Sequence, residues 1–200
     1  EASARQRSGR AGRLGPGCCL RLWSESEVMA SYQKPEIARV ALDQLVLDLA
    51  RWGCREPGQM HWLDAPPAPA WQSAVARLRD GGALDAQGGL TEHGAAIAQL
   101  GVEPALAMLI LAGREQGLPV AAARVAALLS ERDILNGQGV DLRSRLQALE
   151  ANPERHRPLL AEAQRLLAGK PGDSSDWRQN LGKLLARVYP RQLACLRQAQ

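Results

Sequence analysis

The first residues of the chain have the types and the spacing needed to bind an anionic ligand. The run QRSGRAGR, residues 6–13, holds three arginines and two glycines and contains no acidic residue. On a helix, Gln6, Arg10 and Arg13 would be spaced i, i+4 and i+7 and would project from one face. Guanidinium groups match phosphate oxygens in bidentate geometry and stay charged at any working pH. The run therefore predicts a triphosphate site, and its glycines would let a ligand or another domain approach closely.

The same run resembles the last conserved motif of superfamily 2 helicases, in the form used by DEAH-box ATP-dependent helicases of the HrpB type. The resemblance implies that Gln6 lies near the γ-phosphate and the attacking water, and that Arg10 and Arg13 are catalytic arginine fingers. All three would contact ATP bound with Mg²⁺, most of whose site would lie outside this chain. The alternative is a solvated Gly/Arg-rich segment of the kind found in disordered RNA-binding tails.

Composition is ordinary for a folded protein of one or two domains: 200 residues, 46% hydrophobic and 23% charged. The net charge is +4, and residues 1–21 account for all of it, with five arginines against Glu1. The rest of the chain is balanced, so it lacks the bulk basic charge typical of a nucleic-acid-binding domain.

Other features of the sequence limit the compartment and the chemistry. No apolar run reaches the length of about 18 residues that a membrane span needs, and no secretory signal is present. The four cysteines lack C-x-x-C spacing and the three histidines are scattered, so neither a metal site nor a disulfide is predicted. We expect a cytoplasmic protein with no membrane partner. Because the chain starts at Glu1 and almost at once enters a motif, we expect a piece of a longer protein.

The predicted fold is mainly α. The resemblance implies the end of a second RecA-like α/β domain over 1–23, including a short strand over 18–23. A degenerate winged helix would follow over 24–100, then a ratchet-like helical bundle over 101–189 and the start of another domain over 190–200. Apolar periodicity and end signals predict helices over 41–52, 68–79, 104–115, 120–130, 141–150, 153–168 and 177–189, the last but one interrupted or kinked near Pro158.

Two further stretches match the resembled family. Residues 83–91 are typical of two short strands around a glycine turn, and Thr91 is a good N-cap for the next helix. Leu90, Thr91 and Gly94 fit the family's L-T-x-x-G signature, for which packing against the motor is favoured over direct nucleic-acid binding. Residues 130–133, S-E-R-D, match a stretch expected to cap the bundle and to form salt bridges.

Two places bear on nucleic-acid contacts. Where the family usually has L-H-P-R-L, residues 102–106 are V-E-P-A-L, so any role tied to that histidine and arginine is in doubt. The last helix and the residue after Pro190 carry four bases, which either contact a nucleic-acid backbone or form a solvated face. These bases are Arg178, Lys183, Arg187 and Arg191.

The function predicted from these observations is part of an ATP-dependent helicase that couples NTP hydrolysis to translocation on single strands, with RNA favoured. Its partners would be single-stranded nucleic acid and the missing RecA-like domains of the same chain, and the protein would be a monomer. The chain has no G-x-x-x-x-G-K-[S/T] phosphate loop, so alone it should not hydrolyse ATP. The alternative is a non-enzymatic winged-helix adaptor that binds nucleic acid or protein. A small hydrolase using His93 or Cys54 has little support, because no activating base is suitably spaced.

Overall fold

The protein is mainly helical, as predicted. The computed structural model describes residues 2–24, 26–28, 30–131, 133–135 and 139–194, and within them it contains nine α-helices. These are α1 Ala2–Ser8, α2 Asp43–Arg51, α3 Ala68–Asp80, α4 Glu92–Gln99, α5 Pro104–Glu115, α6 Pro119–Ser130, α7 Leu142–Ala151, α8 Arg157–Leu167 and α9 Trp177–Val188. Short 3₁₀ turns occupy Glu36–Ala38, Pro57–Gln59 and Pro190–Gln192.

The buried side chains form two hydrophobic cores that meet at α5. The first core joins α2, α3 and α4 and includes Leu47 and Leu78. The second joins α5, α6, α7, α8 and α9. Helix α5 packs in both cores through different sides: Ala107 lies in the first core and Leu109 in the second. This shared helix fixes the two cores against each other.

Small residues allow α5 and α6 to pack closely, which the alanine-rich sequence predicts. A Cβ placed on Gly113 of α5 would lie 2.2 Å from the Cβ of Ala122 on α6, so only glycine fits there. Ala121 and Ala123 are buried beside this contact. Close approach of the two backbones makes this pair the centre of the second core.

The predicted strand over 18–23 is wrong. These residues have no regular secondary structure, and the side chains of Leu20 and Leu22 are 86% and 93% exposed. A strand is stable only when it pairs with neighbours and buries a face, and no described segment pairs with this one. The predicted hairpin at 83–91 is reduced to a single antiparallel bridge between Leu84 and Leu90.

The helices predicted from apolar periodicity agree with the structure, and the interruption predicted near Pro158 is a late start of α8. Residues 153–156 form turns, in which the His156 amide donates to the Pro153 carbonyl over 3.2 Å, and α8 begins only at Arg157. Pro158 lacks an amide hydrogen and is tolerated in the first turn of a helix but not in its interior. The helix therefore begins at Arg157, with this proline in its first turn.

Among the described residues, no single helix is long and apolar enough to cross a membrane. Helices α4 and α5 reach that length and apolarity only together, and they are bent by 108° to each other. The expectations placed on Arg132, on 136–138 and on 195–200 lie outside the described residues.

Candidate functional site

The arginine-rich run does not form the single helical face that its spacing predicts. Helix α1 ends at Ser8, whose hydroxyl donates to the Arg5 carbonyl over 2.8 Å. The Arg10 amide then donates to the Arg7 carbonyl over 3.1 Å, which forms a turn. Glycine is a poor helix former, and this run contains two. Gln6 therefore lies on the helix, whereas Arg10 and Arg13 lie beyond its end.

The three predicted nucleotide-contacting side chains are all open to solvent. Gln6, Arg10 and Arg13 are exposed, and within the described part of the chain none of their side chains has a hydrogen-bond or ion-pair partner. In contrast, the Arg7 guanidinium donates to the Ser3 hydroxyl over 3.1 Å. Three polar side chains of the run thus remain available to an anion.

After the run the chain folds back on itself at a glycine. A Cβ on Gly17 would lie 2.0 Å from the carbonyl oxygen of Ala11, a distance that no real side chain tolerates. The segment between them therefore forms a loop that carries Arg13. The amide of Ala2 donates to the Ser31 carbonyl over 3.0 Å and links α1 to the chain that follows the loop.

The L-T-x-x-G stretch has a structural role at the start of α4. The Thr91 hydroxyl oxygen accepts from the Gly94 amide over 2.9 Å, as the N-cap prediction requires. The same hydroxyl donates to the Gly82 carbonyl over 2.6 Å. Gly94 is buried, with the Ala83 carbonyl directly against it. Both signature residues thus attach α4 to the turn after α3.

The S-E-R-D stretch takes part in a salt bridge, as the sequence predicts. Nε and Nη2 of Arg145 each lie 2.9 Å from a carboxylate oxygen of Asp133. The Arg145 guanidinium also donates to the carbonyls of Gly139, over 2.8 Å, and Asp141, over 3.1 Å. Its side chain is only 12% exposed. Arg145 therefore holds the beginning and the end of the α6–α7 connection together.

Most of the bases at the end of the bundle are already paired with carboxylates. Arg178 contacts Glu150 at 2.7 Å, Arg187 forms an ion pair with Glu115, and Arg191 forms one with Asp80. Lys183 is exposed and has no ion-pair partner in the described part of the chain. Intramolecular pairing leaves less free positive charge for a nucleic-acid backbone than the sequence suggests.

A cleft of about 720 Å³ lies where the first core, α5 and the end of α9 meet. Its apolar lining includes Pro104, Met108 and Tyr189, and His93 also faces it. Burial raises the pKa of the Tyr189 phenol, and the negative charge of Glu103 raises it further. Sequence reasoning missed this cleft, because its lining comes from segments about a hundred residues apart.

Metal-ligating side chains do not cluster in the described residues. No group of three or more His, Cys, Asp or Glu side chains is placed to hold an ion. Cys54 lies beside the thioether of Met60, with the two sulfurs 3.8 Å apart.

Comparison with curated proteins gives clear relatives. The chain is 42% identical to "Probable ATP-dependent RNA helicase DHX34" of Homo sapiens over 132 residues, which is 65% of this chain and 12% of that protein. It is 39% identical to "ATP-dependent RNA helicase HrpB" of Escherichia coli over 133 residues, 66% of this chain and 16% of that protein. It is 36% identical to the Schizosaccharomyces pombe pre-mRNA-splicing factor prp22 over 77% of this chain and 14% of that protein. No family model matches the chain.

The solved structures agree with the sequence comparison. The crystal structure of the Escherichia coli DEAH/RHA helicase HrpB superposes with a TM-score of 0.77 at 31% identity, covering 94% of this chain and 23% of that one. The chain is a homologue of one segment of the DEAH-box helicases of the HrpB type. A second crystal structure, of the Escherichia coli DExH-box NTPase HrpB, gives a TM-score of 0.71 at 32% identity over 94% of this chain.

These matches confirm the resemblance to DEAH-box helicases found in the motifs. The chain spans less than a quarter of each HrpB structure and at most 16% of the helicases with which its sequence was compared. The relation therefore shows that this segment is similar to one part of these helicases and supports its helical fold.

Proposed function

We propose that the chain is part of an ATP-dependent RNA helicase of the HrpB type. In this proposal residues 1–23 complete the second RecA-like domain, 24–100 form a degenerate winged helix and 101–189 form a ratchet-like bundle. The observation that carries it is the availability of Arg10 and Arg13, two exposed and unpaired guanidinium groups in a segment whose continuation is homologous to these helicases. The whole protein would couple NTP hydrolysis to translocation on single strands.

The proposed role of the arginines follows from their chemistry. Arg10 and Arg13 would contact the γ-phosphate of ATP and stabilise the charge that develops on it during transfer. Such arginines contribute about 10³–10⁵ in rate in related phosphoryl-transfer enzymes. Gln6 would orient the attacking water beside them. Mg²⁺ would bind with ATP, held by parts of the protein outside this chain.

The helical segments would support the motor. The L-T-x-x-G stretch is used internally, since Thr91 and Gly94 fix α4 to the preceding turn. Three of the four bases at the end of the bundle are engaged in ion pairs. These contacts favour a module that packs against the RecA-like domains over one that binds RNA alone. We further propose a monomeric, cytoplasmic protein whose substrate is single-stranded RNA or another nucleic acid.

The test uses the full-length protein that carries this chain. RNA-stimulated ATP hydrolysis and binding of single-stranded RNA are measured for wild type, Arg10→Ala and Arg13→Ala. Arg39→Ala is the matched control, because Arg39 is also exposed and its side chain has no described partner. We expect either finger variant to lose about 10³-fold or more in hydrolysis while its RNA affinity and the control stay unchanged.

Equal hydrolysis in all four proteins would overturn the arginine-finger role. If RNA binding were lost and hydrolysis kept, Arg10 and Arg13 would instead be contacts to nucleic acid. The non-enzymatic winged-helix adaptor would become the better description if the full-length protein hydrolysed no ATP at all.

A further inference from the structure

The way in which α9 is held changes along its length. Trp177, Leu181 and Leu184 are buried in the second core along its first two turns, and Val188 packs against the same core at its end. Past Val188 no described residue is buried: Tyr189 is half-buried and 190–194 are exposed. Burial of apolar surface therefore fixes the helix as far as Val188, and the exposed residues beyond Tyr189 must be held by other contacts.

Tyr189 is the point where the backbone leaves the helix. Its φ of −119° and ψ of 54° lie outside the helical region, and it ends α9 and begins the 3₁₀ turn Pro190–Gln192. The cause is local, because a residue that precedes proline is disfavoured in the α conformation. A single non-helical residue between two short rigid elements can act as a hinge.

Two ion pairs hold the segment around this hinge, and each reaches a different helix. Arg187 pairs with Glu115 on α5, and Arg191 pairs with Asp80 at the end of α3. The arginine side chains are 56% and 62% exposed and their carboxylate partners 50% and 47%. Exposed pairs contribute little individually and weaken as salt increases.

The segment held in this way forms one wall of the cleft between the cores. Tyr189 and Arg191 line it together with Met108. The Met108 side chain lies against Gly81, a residue with no side chain of its own. Because Val188 packs against the second core and Tyr189 is the hinge, release of the ion pairs would move 190–192 and leave the cores in place. The cleft would then open towards solvent.

We propose that residues 190–192 form a salt-sensitive clasp. When closed, the clasp covers the cleft and fixes the direction in which the chain continues beyond Gln192 relative to α3 and α5. When open, it exposes more of the half-buried Met108 and frees that direction. The state of the clasp thus sets the direction of the residues after Gln192 relative to the rest of the protein. This inference does not depend on the proposed helicase function.

The test follows the methyl groups of Met108 and Met60 by NMR, using a soluble paramagnetic agent to measure solvent access. Met60, like Met108, packs against the first core, but it does not line the cleft and serves as the internal reference. The variants are Asp80→Arg, Arg191→Asp and the two together, which restores the pair with reversed charges. Lys183→Glu changes the charge of α9 at a side chain with no described partner and is the control.

We expect each single reversal to raise the relaxation enhancement at Met108 by roughly twofold or more, as the loss of one of two weak pairs allows. The double variant should return Met108 to its wild-type value. Raising ionic strength from about 0.05 to 0.5 M should open the wild-type clasp in the same direction. An unchanged Met108 in the single variants, or no recovery in the double variant, would overturn the proposal. A parallel rise at Met60 would mean general unfolding and would also count against it.

Discussion

Gly94 lies with its α-carbon against the carbonyl oxygen of Ala83, so close that a Cβ there would be 2.1 Å from that oxygen. The side chain of Leu90 stands on another side of the same position, at 2.8 Å. Thr91 adds hydrogen bonds to the same turn. The L-T-x-x-G signature is therefore explained by packing: threonine starts α4, and glycine lets the helix touch the chain that precedes it.

Substituting alanine for Gly94 should destabilise the first core. The added methyl group would overlap backbone atoms that have little freedom to move, and overpacking of this kind costs about 1–3 kcal/mol. Chemical denaturation of the chain measures the free energy of unfolding. Gly182→Ala is the matched control, since Gly182 lies exposed within α9 with no atom near its Cβ position. That change should be neutral or stabilise the chain by about 0.5–1 kcal/mol. Equal effects of the two substitutions would contradict this account.

Asp173 caps the first turn of α6 from more than fifty residues away. Its carboxylate accepts from the Val120 amide over 2.7 Å and from the Ala121 amide over 3.2 Å. Asp173→Ala leaves both amides unpaired and should lower the free energy of unfolding by about 1–2 kcal/mol. Asp173→Asn keeps an acceptor and should lose less. The control is Asp64→Ala, which removes an exposed carboxylate with no described partner. It should leave the free energy of unfolding in urea almost unchanged.

Arg145 should be poorly replaced even by lysine. An ammonium group cannot reproduce the planar fork that binds both oxygens of Asp133 and the Gly139 carbonyl. Arg145→Lys should therefore cost about 1–2 kcal/mol through the lost charge-assisted bonds. The comparison variant is Arg143→Lys, because Arg143 is exposed and its guanidinium has no described partner. An equal shift in the melting temperatures of the two variants would show that the bidentate contact of the Arg145 guanidinium does not contribute to stability.

Tyr189 should make stability depend on pH in the alkaline range. Burial, and then the charge of Glu103, raise the pKa of this phenol above its ordinary value. The folded state therefore retains the proton more strongly than the unfolded state, so the contribution is complete below about pH 10 and is lost as the pH rises through the folded pKa. Tyr189→Phe has no proton to lose. Its melting temperature should fall less steeply than that of wild type above about pH 10, with Tyr32→Phe, at an exposed phenol, as control.

Local pattern was enough to predict most helices and the family. The apolar faces of α2 and α9, the caps at Thr91 and Asp141, and the arginine-rich run are all local features that can be recognised without coordinates. The family resemblance is confirmed by the relatives, whereas the roles of Gln6, Arg10 and Arg13 stay predictions. The prediction that these three residues share one helical face was wrong, because the two glycines of the run lower the stability of a helix there.

The sequence by itself determined where the helices form and which residues carry the arginine motif, because both depend on neighbours within a few positions. Only the tertiary structure decided which charges are free. Arg187 and Arg191 look like available bases in the sequence, yet they pair with Glu115 and Asp80, which lie 72 and 111 residues away along the chain. Ion pairing depends on distance in space, and the packing of α3, α5 and α9 sets that distance. The same packing creates the cleft and the clasp that covers it.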